Sequence, residues 1–177
     1  STRKAIELNP SIAKAHCNLG VILKDLGQLQ DAELSTRKAI ELNPDFAEAH
    51  LNLGSILKDL DKLKESEFSY RKAIELKPDY VDAHSNLGVL LKQLGNLQEA
   101  ELSTRKAIEI NPDYAHAYSN LGSILFDLGK LKEAELSYRK SIEINPAFAE
   151  AHFNLGNILR DLDKLKDAEI SYRKAIE

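Results

Sequence analysis

Asparagine, lysine and histidine recur at fixed spacing in this chain, and these side chains could bind a peptide, an acid or a metal. One asparagine returns every 34 residues, at Asn18, Asn52, Asn86, Asn120 and Asn154. Its carboxamide offers a donor and an acceptor together, which suits the backbone of an extended peptide. Because asparagine is a poor residue for a helix interior, this unvarying column favours binding. A merely solvated or locally bonded amide is the alternative.

A basic column repeats with the same period. It holds Lys24, Lys58 and Lys92, then Phe126, then Arg160. Contact with the acidic side chains of a ligand is one interpretation. The acidic residues Asp25, Asp59, Asp127 and Asp161 run directly beside this column, so an alternating solvated face is the other interpretation.

Three large apolar residues interrupt columns that are otherwise mostly polar or small. They are Leu51, Phe126 and Phe153. We expect all three to be exposed and to act as anchors, because apolar and aromatic side chains concentrate affinity in peptide grooves. Contact with another copy of the chain is the alternative.

Metal binding and catalysis find no support in the residue pattern. His16, His50, His84 and His152 share one column. Packed helices lie 8–10 Å apart, whereas zinc binds nitrogen at about 2.0–2.1 Å, so we predict that these rings pack between helices. No glycine-rich phosphate loop stands apart from the period, and Cys17 is the only cysteine. We therefore expect no enzyme, no metal and no cofactor.

The elements that position these residues are copies of one unit, because a fixed period of this length indicates stacked supersecondary units. Residues 47–80 are the clearest copy. A first helix is predicted from residue 47 to about 60, with an apolar stripe that includes Ala49, Leu53 and Ile56. A second is predicted from about 63 to 76; its apolar residues are Phe68, Tyr70, Ala73, Ile74 and Leu76.

Turn residues delimit the two predicted helices. Pro78 ends the second helix, since the residue before a proline is pushed out of the helical region. Asp45 is predicted to cap the first helix, with Glu48 completing a capping box. Gly27 is predicted to end the first helix of its unit in a left-handed conformation.

The spacing His50-x2-Leu53-Gly54-x2-Leu57, followed by Ser66-x3-Tyr70 and Pro78, resembles the tetratricopeptide repeat. The resemblance implies an all-α fold, a right-handed α-solenoid of five 34-residue helix-turn-helix repeats. It also implies that the mid-helix glycines, such as Gly54, let the two helices of a hairpin approach closely. We place the repeats at residues 13–46, 47–80, 81–114, 115–148 and 149–177.

We expect residues 1–177 to form one solenoid domain, in which residues 1–12 end a preceding repeat. Because the sequence opens inside such a second-helix pattern, we expect the chain to be part of a longer protein. The resemblance implies a scaffold that binds a protein or peptide partner in a concave groove lined by the first helices. The asparagine column resembles the ladder in the superhelical repeat region of O-linked N-acetylglucosamine transferase.

Composition restricts the partners. The net charge is −4, from 24 basic and 28 acidic residues that are mixed throughout. Nucleic-acid binding needs a basic stripe, and a membrane span needs about 20 consecutive apolar residues. We expect neither partner, and we expect a cytoplasmic location. Head-to-tail self-association through the ends of the array, and a substrate-recruiting arm of a transferase, remain as alternatives.

Overall fold

A computed structural model describes residues 10–177 of the chain, and the side chains of residues 12–177. This part of the chain holds ten α-helices and no β-strand. The helices are α1 (Pro10–Asp25), α2 (Leu29–Leu42), α3 (Ala47–Asp59), α4 (Leu63–Leu76), α5 (Val81–Gln93), α6 (Leu97–Ile110), α7 (Ala115–Asp127), α8 (Leu131–Ile144), α9 (Ala149–Asp161) and α10 (Leu165–Ile176).

Helix boundaries follow the predicted turn chemistry with one exception. α3 and α4 begin and end within a residue of the predicted limits, and Lys77, before Pro78, lies outside the helical region with φ −139° and ψ 88°. Gly27 has φ 76°, and Asp61 adopts the same left-handed conformation with φ 59°. The predicted Asp45 cap is wrong. Phe46 is the residue that precedes α3, and no side chain caps this helix, because Asp45 lies one residue too early.

The chain divides after Leu90 into two compact units. In the first unit, α1 packs on α2 and α3 packs on α4, while α3 also contacts both α1 and α2. Cys17, Ala39 and Ala49 meet where these helices converge, and Ile40 and Phe46 pack against them. Small buried residues at the crossing let the helices approach closely, as the repeat pattern predicts.

The second unit repeats this arrangement. α7 packs on α8 and α9 packs on α10, and α9 contacts α7 and α8. Its apolar core contains residues from all four of these helices: Leu121, Leu125, Ala134, Tyr138, Ala151, Leu155, Ile158, Leu159 and Ala168. Each hairpin therefore buries its stripe against its neighbour, since one hairpin alone has no second surface to cover it.

A tyrosine on the second helix explains the mid-helix glycine. A Cβ atom added to Gly122 would lie 2.8 Å from Cε2 of Tyr138, and one added to Gly54 would lie 2.6 Å from the ring of Tyr70. Both tyrosines are almost fully buried, so their rings cannot swing aside. The predicted close approach is confirmed, and the group that requires it is an aromatic ring.

We expect Gly122→Ala to destabilise the protein by about 1–2 kcal/mol. Alanine improves helix propensity by about 1 kcal/mol. Overpacking of a filled core costs about 1–3 kcal/mol. Because the added Cβ would contact the Tyr138 ring at less than 3 Å, we expect an overpacking cost at the upper end of that range. Urea unfolding measures the change. In a Tyr138→Ala background the ring is absent, so the same Gly122→Ala change should be neutral or stabilising; an equal loss in both backgrounds would refute the contact.

The apolar residues of the second helices do not all face the core. Phe68 is one of the apolar residues of the predicted second helix, but it is 71% exposed. Tyr70, two positions on, is buried, because the two side chains point to different faces of α4. The same exposed position holds a large apolar residue in every repeat: Leu34, Phe68, Leu102, Leu136 and Ile170.

The first helix of the first repeat is another exception. The 34-residue period extends the predicted apolar stripe to Leu19, Ile22 and Leu26, but each of these residues is exposed. Their equivalents in the second repeat, Leu53 and Ile56, are buried. The reason is that α3 packs against the preceding hairpin, whereas no described residue precedes α1.

Ion pairs connect successive second helices. Glu101 on α6 accepts from Arg105 on the same helix and from Lys130, just before α8, both at 2.8 Å. Glu33 and Glu135 have equivalent partners. A glutamate–arginine pair at i, i+4 is expected on the solvated face of a helix. The link from each glutamate to the lysine of the next repeat was not predicted, and it leaves the Glu101 side chain only 15% exposed.

We expect Glu101→Gln to lower the free energy of unfolding at pH 7 by about 0.5–1 kcal/mol, the usual range for partly exposed pairs. Lys130 and Arg105 hold the pKa of the Glu101 carboxyl below its ordinary value of 4.5, while partial burial acts the other way. A depressed folded-state pKa gives stability that is present above pH 4.5 and lost as the pH falls through the folded value.

Urea unfolding at several pH values checks this prediction. The difference between Glu101→Gln and the parent should therefore shrink below about pH 4.5. Glu109→Gln is the matched control, because Glu109 is exposed and pairs with the likewise exposed helix neighbour Lys106; it should change little at any pH. A Glu101→Gln deficit that is independent of pH would contradict the ion-pair explanation.

Candidate functional site

A cleft in the second unit brings together side chains from three successive first helices. Its volume is about 390 Å³, and its lining includes Lys92, Ser123, Phe126, Asn154, Asn157 and Arg160. Lys92 comes from the end of α5, Ser123 and Phe126 from α7, and the other three from α9. These residues lie together because α7 and α9 pack in direct contact, leaving their polar faces side by side.

A chain of polar contacts fixes the lysine in the cleft. Lys92 Nζ donates to Ser123 Oγ at 2.6 Å and lies 3.3 Å from Oδ2 of Asp127. The hydroxyl of Tyr138 is hydrogen-bonded to the same serine, and burial raises the pKa of Tyr138 to about 12. The hydroxyl is therefore protonated in neutral solution. Lys92 is both positioned and electrically balanced by its neighbours.

At the other end of the cleft, a tyrosine again bonds a polar side chain and a cation again pairs with an aspartate. Tyr172 Oη donates to Asn157 Oδ1 at 2.8 Å, and Arg160 Nη2 lies 3.2 Å from Oδ1 of Asp161. Asn154 is half-buried and makes no hydrogen bond to the described residues. The cleft thus offers one unengaged amide at Asn154, one amide that is held through its oxygen at Asn157, and two cations that already have carboxylate partners.

The same polar chain occurs in the first unit. Lys24 Nζ donates to Ser55 Oγ at 2.6 Å and lies 3.3 Å from Asp59 Oδ2. Tyr70 is hydrogen-bonded to Ser55, and burial raises its pKa to about 12. Lys24 and Lys92 therefore form ion pairs with aspartates of the protein itself. These pairs favour a structural role for the lysines over recognition of acidic side chains in a ligand. Lys58 makes no ion pair or hydrogen bond to the described residues.

The asparagine column is less open than a row of free amides would be. Asn18 is exposed, but the other four members are half-buried. Asn52 Nδ2 lies 3.2 Å from Cys17 Sγ and donates to it, so this amide joins two repeats. Asn86, like Asn154, makes no hydrogen bond to the described residues. A binding role for the column stays a prediction, and Asn154 is the member that lines the cleft.

Leu51 is not an exposed anchor. It is only 9% exposed, and Cys17, Ser85 and Ser119 at the equivalent positions are also buried. The position therefore lies on a buried face of the first helices in the first four repeats. In the fifth repeat, Phe153 on α9 is 52% exposed, and its ring lies 5.9 Å from that of Tyr172. Phe126, at 40% exposed, is the predicted anchor that lines the cleft.

The sequence analysis missed Ser123, Asn157 and the tyrosines behind them. A signal was present, because the two positions vary together. Repeats with serine or asparagine on the first helix carry tyrosine on the second, as at Ser123 and Tyr138. Repeats with valine carry threonine instead, and the buried hydroxyls of Thr36 and Thr104 have no hydrogen-bond partner within the described part of the chain. A serine or asparagine at this position of the first helix therefore occurs together with a tyrosine, whose hydroxyl lies far enough from the backbone to reach it.

Comparison with protein families identifies the repeats. Profiles described as tetratricopeptide repeat match residues 13–46 and 81–114 and residues 36–68 and 104–135. A further profile, described as TPR repeat, matches residues 54–95 and 122–163. The matches together run without a gap from residue 13 to residue 163. The chain belongs to the tetratricopeptide repeat family, and its fold is an all-α solenoid of helical hairpins.

Solved structures of other proteins share this fold. MamA is 25% identical with a TM-score of 0.78, and the match covers 89% of this chain and 92% of MamA. PilF of Pseudomonas aeruginosa is 22% identical with a TM-score of 0.88, covering 94% and 76%. YrrB, described as a TPR protein with an unusual peptide-binding site, is 27% identical with a TM-score of 0.72, covering 99% and 91%. Curated proteins give no significant match.

Tetratricopeptide repeats are typical of non-catalytic interaction scaffolds, and this chain has their architecture. Within residues 10–177, no helix combines the length and the apolar character that crossing a bilayer requires. That the five repeats act as a single domain stays a prediction.

Proposed function

We propose that this protein binds an extended segment of a partner protein along its first helices, and that the cleft between α7 and α9 is the centre of that site. The observation that carries the proposal is that residues from separate sequence columns come together in one cleft. Four residues singled out by sequence columns, Lys92, Phe126, Asn154 and Arg160, line one cleft, although they come from three different repeats.

The shape and chemistry of the cleft support a peptide ligand. Small-ligand sites are typically concave, mostly apolar and furnished with a few placed polar groups. This cleft, at about 390 Å³, combines an aromatic ring with two amides and has the size of one or two side chains. An extended peptide also needs donors and acceptors for its backbone, and carboxamides supply both.

The family comparison supports the same reading. YrrB, which is similar to this chain over nearly its whole length, is described as having a peptide-binding site. The repeats of this chain hold neither a catalytic constellation nor a cofactor motif that the sequence pattern could identify. Peptide binding is therefore the function that requires only the residues present.

Selection from a random peptide library displayed on phage tests the proposal, with the whole chain as bait. Enriched peptides, resynthesised and titrated, should bind the parent protein. Asn154→Trp, which fills the cleft, should weaken them by about tenfold or more. Leu136→Trp is the matched control: Leu136 is exposed on the second helix α8 of the same unit, and its substitution should leave affinity unchanged. Failure to enrich any peptide, or equal binding by Asn154→Trp, would refute the proposal.

A further inference from the structure

The charges that line the cleft cancel within the protein. Lys92 faces Asp127 at 3.3 Å, and Arg160 faces Asp161 at 3.2 Å. Two cations and two carboxylates give no net charge. An acidic ligand would meet the carboxylates of Asp127 and Asp161 as well as the two cations, so the cleft offers it little net attraction.

Asn157 presents a donor to the cleft. Its oxygen accepts the hydroxyl of Tyr172 at 2.8 Å, which fixes the orientation of the amide. The NH₂ group has no partner among the described residues, so it is free for a ligand, and this group can only donate. A peptide carbonyl is the neutral acceptor that such a donor suits. Tyr172 is held behind it, with its ring against Gly156, so the amide has a rigid support.

Phe126 provides the apolar part of the site. It stands where three other repeats carry lysine, it is 40% exposed, and it lines the cleft beside Asn154 and Asn157. In the first and third repeats the lysine at this position pairs with an aspartate of the next first helix, Lys24 with Asp59 and Lys92 with Asp127. Phenylalanine removes that ion pair and leaves a ring in its place.

We propose that the cleft selects an uncharged peptide segment that places an apolar side chain on Phe126 and a backbone carbonyl on the amide of Asn157, with Tyr172 as the positioning residue. The inference rests on the proposed function and deepens it: it names the ligand as neutral and apolar. It excludes acidic segments, which the basic column alone would have suggested.

The library selection above provides the first test through the composition of the enriched peptides. Apolar residues without flanking acids should dominate, and replacing the enriched apolar residue by aspartate in a synthetic peptide should weaken binding by about tenfold or more. Enrichment of acidic peptides would overturn this inference while leaving peptide binding intact. Absence of any enriched peptide would refute the proposed function itself, so the two failures are distinguishable.

Two nearly isosteric substitutions test the donor. Asn157→Asp keeps an oxygen for Tyr172 but replaces NH₂ by a second acceptor, so we expect at least tenfold weaker binding of the selected peptide. Tyr172→Phe removes the hydroxyl that orients the amide, and we expect a smaller loss, about threefold to fivefold. Circular dichroism melting identifies any variant that fails to fold.

Asn111→Asp controls for the added negative charge. Asn111 is exposed in the turn after α6, and its oxygen accepts from the backbone of Asp113, so aspartate can keep that contact. It should leave peptide affinity unchanged. If a folded Asn157→Asp protein bound the peptide as tightly as the parent does, or if Asn111→Asp weakened binding equally, the assigned donor would be wrong.

Discussion

Ile56→Ala should lower the free energy of unfolding by about 2–5 kcal/mol, the range for truncating a buried aliphatic side chain to alanine. Ile56 has no exposed surface, because α3 is packed by the preceding hairpin as well as by its own partner α4. Truncation removes apolar burial and leaves a cavity in a crossing that is already tightly packed. Urea unfolding monitored by circular dichroism measures the loss.

The repeat provides a matched control for this substitution. Ile22 is the equivalent isoleucine of the first repeat, in the same unit and on the same type of helix, but it is 55% exposed. Ile22→Ala should change stability by no more than about 0.5 kcal/mol. Equal losses from both variants would mean that neighbouring hairpins do not supply the burial that holds the repeats together.

Phe126→Ala should weaken binding of a selected peptide by about thirtyfold, which corresponds to the roughly 2 kcal/mol of a binding hot spot. The reason is that Phe126 is the one aromatic group on the first helices that lines the cleft in the second unit while remaining 40% exposed. Its removal should affect stability little, because the ring lies at the surface. Fluorescence anisotropy with a labelled peptide measures the change.

Phe153→Ala is the control for a general effect of losing an aromatic ring. Phe153 is also exposed and also lies on a first helix, but it contacts Tyr172 and does not line the cleft. We expect a loss of threefold or less. If Phe153→Ala weakened binding more than Phe126→Ala, the binding centre would lie beside α10.

The helices could be predicted from the sequence because their determinants are local and repeated five times. Pro78 ends α4, and Gly27 and its equivalents end the first helices, without reference to the rest of the fold. The errors concern residues whose surroundings depend on packing. Phe68 lies in an apolar stretch, but spacing of three and four residues does not identify which side of the stripe meets the core.

The periodic pattern does not predict which residues a neighbouring repeat buries. Leu51 was interpreted as an exposed exception because other repeats carry cysteine or serine there, but Cys17, Ser85 and Ser119 are buried at this position as well. Asn154 and Phe126, which the sequence columns singled out, line one cleft, and their role in binding stays a prediction. The partners of Lys92 were not foreseen, because Ser123 and Asp127 come from the next repeat and the link appears only once the helices are stacked.

The central claim is that the first helices bind a peptide. Backbone amide chemical-shift mapping with a selected peptide tests it most directly, since it reports the bound surface residue by residue. We predict that the perturbed amides cluster on α7 and α9 around Phe126, Asn154 and Asn157. Perturbations confined to the second helices α6, α8 and α10, where Leu102, Leu136 and Ile170 are exposed, would contradict the account.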